Sequence, residues 1–170
     1  MIIRQATLTD VPAIMRLVAG VVPEMNAAGN FQWDNAYPNA PAFEKDIERN
    51  QLWVADLDSN IGGVAAITTD QEPEYANVGW DLDETAIVVH RLAVSTRYRG
   101  LGIAAALMQQ AEQEAINRDI KTLRIDTNTA NEATQRLFPK LGYEFAGEIG
   151  LSFRPGLRFY CYEKRLDKNS

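Results

Sequence analysis

The sequence predicts one mixed α/β domain spanning residues 1–170. Three observations carry that expectation. Strand-like and helix-like runs follow one another as two strands, then strand and helix twice, then two strands, with no repeat, low-complexity stretch or linker between them. The β-branched run of residues 87–94 passes through a basic loop and two glycines into a helix whose apolar residues recur at Ile103, Leu107, Ala111 and Ala115. Finally, 170 residues, 46% of them hydrophobic, suffice for one core, since a chain of this length buries roughly 70% of its unfolded surface.

Residues 2–6 read as a first strand. Thr9 or Asp10 then caps a helix with Pro12 in its first turn and Val11, Ile14, Met15 and Val18 behind it, and Gly20 and Pro23 are expected to interrupt that helix. Residues 26–41, with Trp33, Tyr37 and two prolines, show no period, and residues 42–50 look helical. Residues 52–57 and 61–68 flank Asp58, Ser59 and Asn60 as an antiparallel hairpin, its second strand weakened by Gly62 and Gly63. The acidic stretch 70–84, broken by Pro73, reads as a loop. After a helix at 103–117, residues 121–127 read as a strand in which Leu123 and Ile125 alternate with polar neighbours. A further helix begins near Asn131 and ends at Gly142, and residues 143–153 and 157–166 form a closing strand pair about Arg154, Pro155 and Gly156.

The junction from strand 87–94 into the next helix has the makings of an anion site. Gly100 and Gly102 let the backbone approach a ligand, the first free N–H groups of the helix point at it, and the helix dipole favours negative charge there. Arg97 and Arg99 add full charges whose forked donors suit phosphate oxygens. A pyrophosphate cradle is therefore expected. A dinucleotide fingerprint, Gly100-x-Gly102-x-x-Ala105 with Asp126 as a ribose contact, and a purely structural glycine turn are the alternatives. Against the dinucleotide stand the residues Ser95 to Arg99 between strand and first glycine, and the short sequence left for a second half of such a fold. The Gly-Lys-Ser/Thr ending of a P-loop is absent.

Arg97-x-x-Gly100-x-Gly102 resembles the coenzyme A signature of the GNAT N-acetyltransferase superfamily. Residues 3–10 resemble that family's opening strand and helix cap, and residues 131–143 its late helix leading into a strand. The resemblance implies a mostly antiparallel central sheet flanked by helices and splayed between the strand ending at Val94 and the strand beginning at Lys121. It implies acetyl-CoA as cosubstrate, with the backbone of Leu92, Ala93 and Val94 pairing with the pantetheine arm. Arg97, Arg99, Gly100, Leu101, Gly102, Ile103 and Ala104 would surround the pyrophosphate, and Asn131 and Phe138 would face the cofactor from the late helix. Asn131 reads equally well as a helix cap. Many family members place a proton-donating tyrosine where Phe138 stands, so Tyr143, Tyr98, Tyr75 or water would have to protonate the leaving thiolate. The implied activity is acetyl transfer to a primary amine of a small molecule or peptide by direct attack in a ternary complex. A degenerate acyl-CoA sensor or interaction module, and a dinucleotide-dependent oxidoreductase, are the alternatives.

His90, the only histidine, lies on strand 87–94, where members of the superfamily commonly keep a proton acceptor, and imidazole is the side chain that changes charge near neutral pH. Its other reading is a hydrogen-bonded structural residue. Glu84, before the same strand, is the alternative base or else a solvated loop carboxylate. Trp33, Asp34 and Tyr37 fall, by resemblance, in the segment over the acceptor site, though aromatics there also suit a core. Cys161 is expected to be buried and inert. A net charge of −6 argues against nucleic-acid binding, and no apolar run is long enough to span a membrane. With no leader-like N-terminus and one cysteine, cytoplasm is the expected compartment. No metal is expected, and a homodimer is the oligomer common in the superfamily. The acidic stretch leans towards cationic acceptors without naming one.

Overall fold

The structure, a computed structural model, describes residues 1–167. Its elements run β1 (Ile2–Gln5), α1 (Val11–Ala27), α2 (Ala40–Glu48), β2 (Leu52–Leu57), β3 (Asn60–Thr68), β4 (Ile87–Val94), α3 (Ile103–Asn117), β5 (Thr122–Asn128), α4 (Glu132–Lys140), β6 (Glu144–Leu151) and β7 (Arg154–Arg165). The seven strands follow the order β1-β2-β3-β4-β5-β7-β6. Pairs β1–β2, β2–β3, β5–β7 and β6–β7 are antiparallel, and β4 pairs with β5 in parallel at Ile87↔Leu123 and Val88↔Arg124. This is the mixed, mostly antiparallel sheet the sequence predicts. The chain divides into two compact units, one of residues 1–68 and 89–110, the other of residues 69–88 and the chain from Ala111 onward. No helix among the described residues is long and apolar enough to cross a membrane.

In the first unit α1 begins where Asp10 gathers contacts from Thr7 and Arg4. Its carboxylate accepts from Thr7 N–H at 2.8 Å and from both terminal nitrogens of Arg4 at 2.8 and 2.9 Å, while Arg4 Nε reaches Asp56 on β2 at 3.0 Å. The Arg4 guanidinium holds the Asp10 carboxyl below the usual carboxylate range. Contrary to expectation, α1 continues through Gly20 and Pro23 to Ala27. Interior glycine and proline cost a helix about 1 and 3 kcal/mol. The buried stripe Val11, Ile14, Leu17, Val18, Val21 and Val22 offsets them, since burying each large aliphatic side chain contributes about 1.5–3 kcal/mol. All of these side chains but Val11 pack with Phe43 of α2 and with Leu52, Val54, Val64 and Ala66 of the β2–β3 hairpin.

Gly62 and Gly63, which weaken β3 as a sequence, are what let α3 lie close to it. A Cβ at Gly63 would stand 2.5 Å from Ile103 Cγ2 and 3.3 Å from the Ala93 carbonyl, and one at Gly62 would stand 2.5 Å from Leu57 and 3.0 Å from Ile103. The start of α3 therefore rests on bare backbone. Ser95 N–H bonds to Gly62 O at 2.8 Å and fixes the end of β4 to the same place.

In the second unit β5 departs from the expected alternation, because Thr122, Leu123, Arg124 and Ile125 are all buried. Arg124, 1% exposed, is accommodated by Glu163 at 2.9 Å, Gln71 at 2.6 Å and the Asp81 carbonyl at 3.0 Å, with its guanidinium against the Trp80 ring. A fully paired guanidinium can occupy a strand's inner face. The stretch 70–84 expected as a loop contains a short 3-10 turn, Pro73–Val78, whose Tyr75 packs with Val88, Ile149, Leu151, Phe159 and Cys161. The closing hairpin turns at Ser152 and Phe153, with Leu151 paired to Arg154, one turn earlier than the sequence suggests. Pro155 and Gly156 lie inside β7, where Gly156 takes a left-handed φ of +85°.

Gly63→Val is expected to destabilise the protein by about 1–3 kcal/mol through overpacking against Ile103 and Leu107, read from the urea midpoint; an unchanged midpoint contradicts the close approach.

Candidate active site

The loop between β4 and α3 is built to keep its donors outward. Ser95 Oγ accepts from Arg97 N–H at 3.3 Å and Tyr98 N–H bonds to Ser95 O at 3.1 Å, closing a tight turn. Gly100 and Gly102 then take left-handed φ values of +80° and +77°, a region in which side-chain-bearing residues are strained. Nothing lies within 4 Å of a Cβ built on either, so open space adjoins both. The first bond of the following helix runs from Ala106 N–H to Gly102 O at 3.0 Å, which leaves the N–H groups of Ile103, Ala104 and Ala105 without helical acceptors. Leu101 is a large hydrophobic residue left 57% exposed between the glycines.

The two arginines of the loop differ. Arg99 pairs with Glu24 of α1, each side chain about half exposed. Arg97 is exposed, stacks over the Tyr98 ring at 5.6 Å, and has no carboxylate partner among the described residues. Left-handed glycines, outward N–H groups and an unneutralised guanidinium together fit a diphosphate.

Just upstream, β4 carries a local irregularity. Arg91 has a φ of +53°, which costs a non-glycine residue about 1–2 kcal/mol, and His90, Arg91 and Leu92 are half-buried in succession rather than alternating. Its guanidinium forks to Asp46 of α2, Nε to Oδ2 and Nη2 to Oδ1 both at 2.7 Å, and Nη1 donates to Tyr37 Oη at 3.1 Å. Asp46 is 4% exposed. Burial works to lower the Arg91 pKa, but the Asp46 carboxylate outweighs it and holds the guanidinium above its ordinary value. Sequence reasoning passed over both residues. The available signals were a lone cation inside a β-branched run, and a carboxylate at helical spacing from Phe43, sharing its face.

Of the three residues expected over an acceptor, Trp33 is 4% exposed within the first unit's core. Asp34 shapes its loop, its Oδ1 accepting from Ala36 N–H at 2.8 Å and Tyr37 N–H at 2.9 Å. Tyr37 reaches Arg91. Leu92, Ala93 and Val94 complete β4 beyond the irregularity.

The second unit holds the remaining expected residues. Glu84 accepts from Thr122 Oγ1, from Arg165 Nη1 at 3.0 Å and from Arg124 Nη2 at 3.4 Å, so its carboxylate is committed to two guanidinium groups. Asn131 caps α4, its Oδ1 accepting from Thr134 N–H at 3.2 Å. Phe138 is buried, packing edge-on against Tyr162 and near Tyr143. Among the tyrosines that could replace it as a donor, Tyr75 gives its hydroxyl to Asp126 at 2.6 Å, and burial and that carboxylate raise its pKa well above normal. The Tyr143 hydroxyl is buried without a hydrogen-bond partner among the described residues, and burial raises its pKa too. Tyr98 is half-buried beside Gly62. Cys161 is fully buried, its thiol pushed up to about 12 by burial and by the Asp126 charge, which leaves it without thiolate character at neutral pH.

The model of the acetyltransferase (GNAT) family matches residues 22–143. An uncharacterised N-acetyltransferase of Bacillus subtilis (strain 168), YesJ, is 26% identical over 145 residues, 84% of this chain and 81% of its own. The crystal structure of a GNAT-family acetyltransferase from Streptococcus agalactiae 2603 superposes with a TM-score of 0.82 at 28% identity, covering 98% of this chain and 96% of that one. A putative acetyltransferase of Salmonella typhimurium, yncA, solved with its cofactor acetyl-CoA, superposes with a TM-score of 0.73 over 100% of this chain and 96% of its own; at 19% identity that likeness is one of fold.

Glu84→Gln is expected to lower stability by about 1–3 kcal/mol, because Arg124 and Arg165 lose a charged acceptor while Arg124 keeps Glu163. An unchanged denaturant midpoint contradicts a structural role for the carboxylate.

Proposed function

The chain belongs to the acetyltransferase (GNAT) family, and on that premise we propose that residues 1–170 work as one domain transferring the acetyl group of acetyl-CoA to a primary amine of a small molecule or peptide. The single-domain reading is supported by β4 and α3, each of which contributes residues to both compact units. The observation that carries the cosubstrate is the loop at 97–102: left-handed Gly100 and Gly102, the unpaired N–H groups of Ile103, Ala104 and Ala105, and Arg97 without a carboxylate partner among the described residues. Acetyl-CoA supplies an activated thioester carbonyl and a thiolate leaving group.

In this reading Arg97 forks to the pyrophosphate while the helix N–H groups donate from below. Arg99 joins by turning away from Glu24, at small cost because an exposed ion pair contributes only about 0–1 kcal/mol. Leu101, Ile103 and Ala104 line the cradle, and the backbone of Leu92, Ala93 and Val94 offers a strand edge to the pantetheine arm. The amine attacks the thioester carbonyl directly, its nitrogen forming the amide as the C–S bond breaks.

A primary alkylamine with a pKa near 10.4 is unprotonated in only about one molecule in 2,500 at pH 7, so a proton acceptor helps. His90 is our candidate, directly or through water, since Glu84 is committed to Arg124 and Arg165. Phe138 cannot donate, and Tyr75 is committed to Asp126. The thiolate therefore leaves unassisted and takes its proton from water. Trp33, Asp34 and Tyr37 act on the acceptor side by shaping the segment that precedes α2.

Calorimetry is expected to show Arg97→Ala weakening acetyl-CoA binding by about ten- to a hundredfold, the loss of one charge-assisted bond, and Arg99→Ala weakening it less. Equal affinity in wild type and Arg97→Ala contradicts the cradle. Release of free thiol with a panel of amines is expected to be slower in His90→Gln than in wild type, with the affinity for acetyl-CoA unchanged. A His90→Gln protein with the wild-type rate removes the histidine from the reaction.

A further inference from the structure

A charged side chain on the core face of a helix and another in the middle of a strand call for a reason. Asp46, 4% exposed, lies on the same face of α2 as Phe43, where an apolar residue would pack. Arg91 lies in β4 between His90 and the backbone of Leu92, Ala93 and Val94, and its left-handed φ of +53° departs from extended geometry. The fork between them uses Nε and Nη2 on the two carboxylate oxygens, both at 2.7 Å, and Tyr37 Oη receives Nη1. Side chains of α2 and of the segment before it thus meet at the guanidinium of a residue whose backbone conformation favours glycine. A salt bridge kept for stability alone would be replaceable by apolar residues of similar volume. One kept for geometry holds a backbone where its own preference would not.

We propose that the Arg91–Asp46 fork, braced by Tyr37, is a positioning device that holds β4 kinked at residue 91 and thereby sets the direction of His90 and of the strand edge from Leu92 to Val94. Arg91 and Asp46 act through their neighbours and are not catalytic residues. The inference rests on the acetyl-transfer reading for its consequence, but the tether itself is a statement about backbone conformation. When the fork is removed, a residue with a side chain at position 91 leaves the left-handed region, and the productive arrangement becomes a minor population. Glycine has no such preference.

The test compares two double variants, R91G/D46N and R91A/D46N, which both lack the fork, both avoid an unpaired buried charge, and differ by one methyl group. The strain of a left-handed alanine corresponds to a population shift of about five- to thirtyfold. Measured per folded molecule, thiol release is expected to be within about threefold of wild type in R91G/D46N and five- to thirtyfold lower in R91A/D46N. Hydrogen exchange over residues 90–94 reads the same contrast without turnover, expected to be faster in the alanine variant. Equal turnover and equal exchange in the two variants overturn the tether. Should both fail to fold, Arg91→Lys takes their place, since lysine keeps the charge and loses the fork; it is expected to lower kcat and raise the KM for acetyl-CoA, together about tenfold in kcat/KM, and an unchanged kcat/KM overturns the proposal. If wild type neither binds acetyl-CoA nor releases thiol, the functional reading fails while the exchange contrast still decides the tether.

Discussion

The close approach of α3 to β3 is the constraint on which the anion loop depends. Ile103, the first residue of α3, sits against Gly62 and Gly63, where any Cβ would come within 2.5 Å of a neighbouring side chain. Ser95 is tied to the Gly62 carbonyl. The loop between β4 and α3 is therefore anchored at both ends on the same two glycines. With its ends fixed, the chain reverses through Gly100 and Gly102 in the left-handed region and the helix opens with three N–H groups unpaired. Placement of the donors is thus set by packing beneath them. Their direction costs no reorganisation when a negative group arrives.

The same logic of one residue's freedom serving another's placement recurs across the first unit. Gly20 and Pro23 weaken α1 locally, and six buried aliphatic side chains offset that cost in a helix that carries Glu24 to Arg99. Arg91 sits in a conformation it does not favour, and Asp46 and Tyr37 hold it there. In the second unit charge is used differently. Arg124 is enclosed by Glu84, Glu163, Gln71 and Trp80, a satisfied cluster that fills a strand's inner face. Buried guanidinium groups in the two units therefore do unlike things, one bending a backbone and the other completing a core.

Much of this was legible in the sequence where local chemistry decides the outcome. The β-branched run of β4 and the 3.6-residue period of α3 gave their observed bounds, and the family was readable from Arg97, Gly100 and Gly102. What was not legible depends on partners far along the chain. Continuation of α1 through Pro23 needs the hairpin it packs on, and burial of Arg124 needs Glu163 and Gln71, 39 and 53 positions away. The turn at Ser152 and Phe153 was displaced because Pro155 and Gly156, usual turn formers, are instead accommodated within β7 at a left-handed glycine. Arg91 and Asp46, 45 positions apart, had no sequence signature as a pair.

The most direct measurement is amide NMR of the protein as acetyl-CoA is added. The account predicts that the N–H resonances of Gly100, Gly102, Ile103, Ala104 and Ala105 shift strongly and become protected from exchange, as donors do when an anion receives them. Binding of acetyl-CoA that leaves those amides unchanged would contradict it.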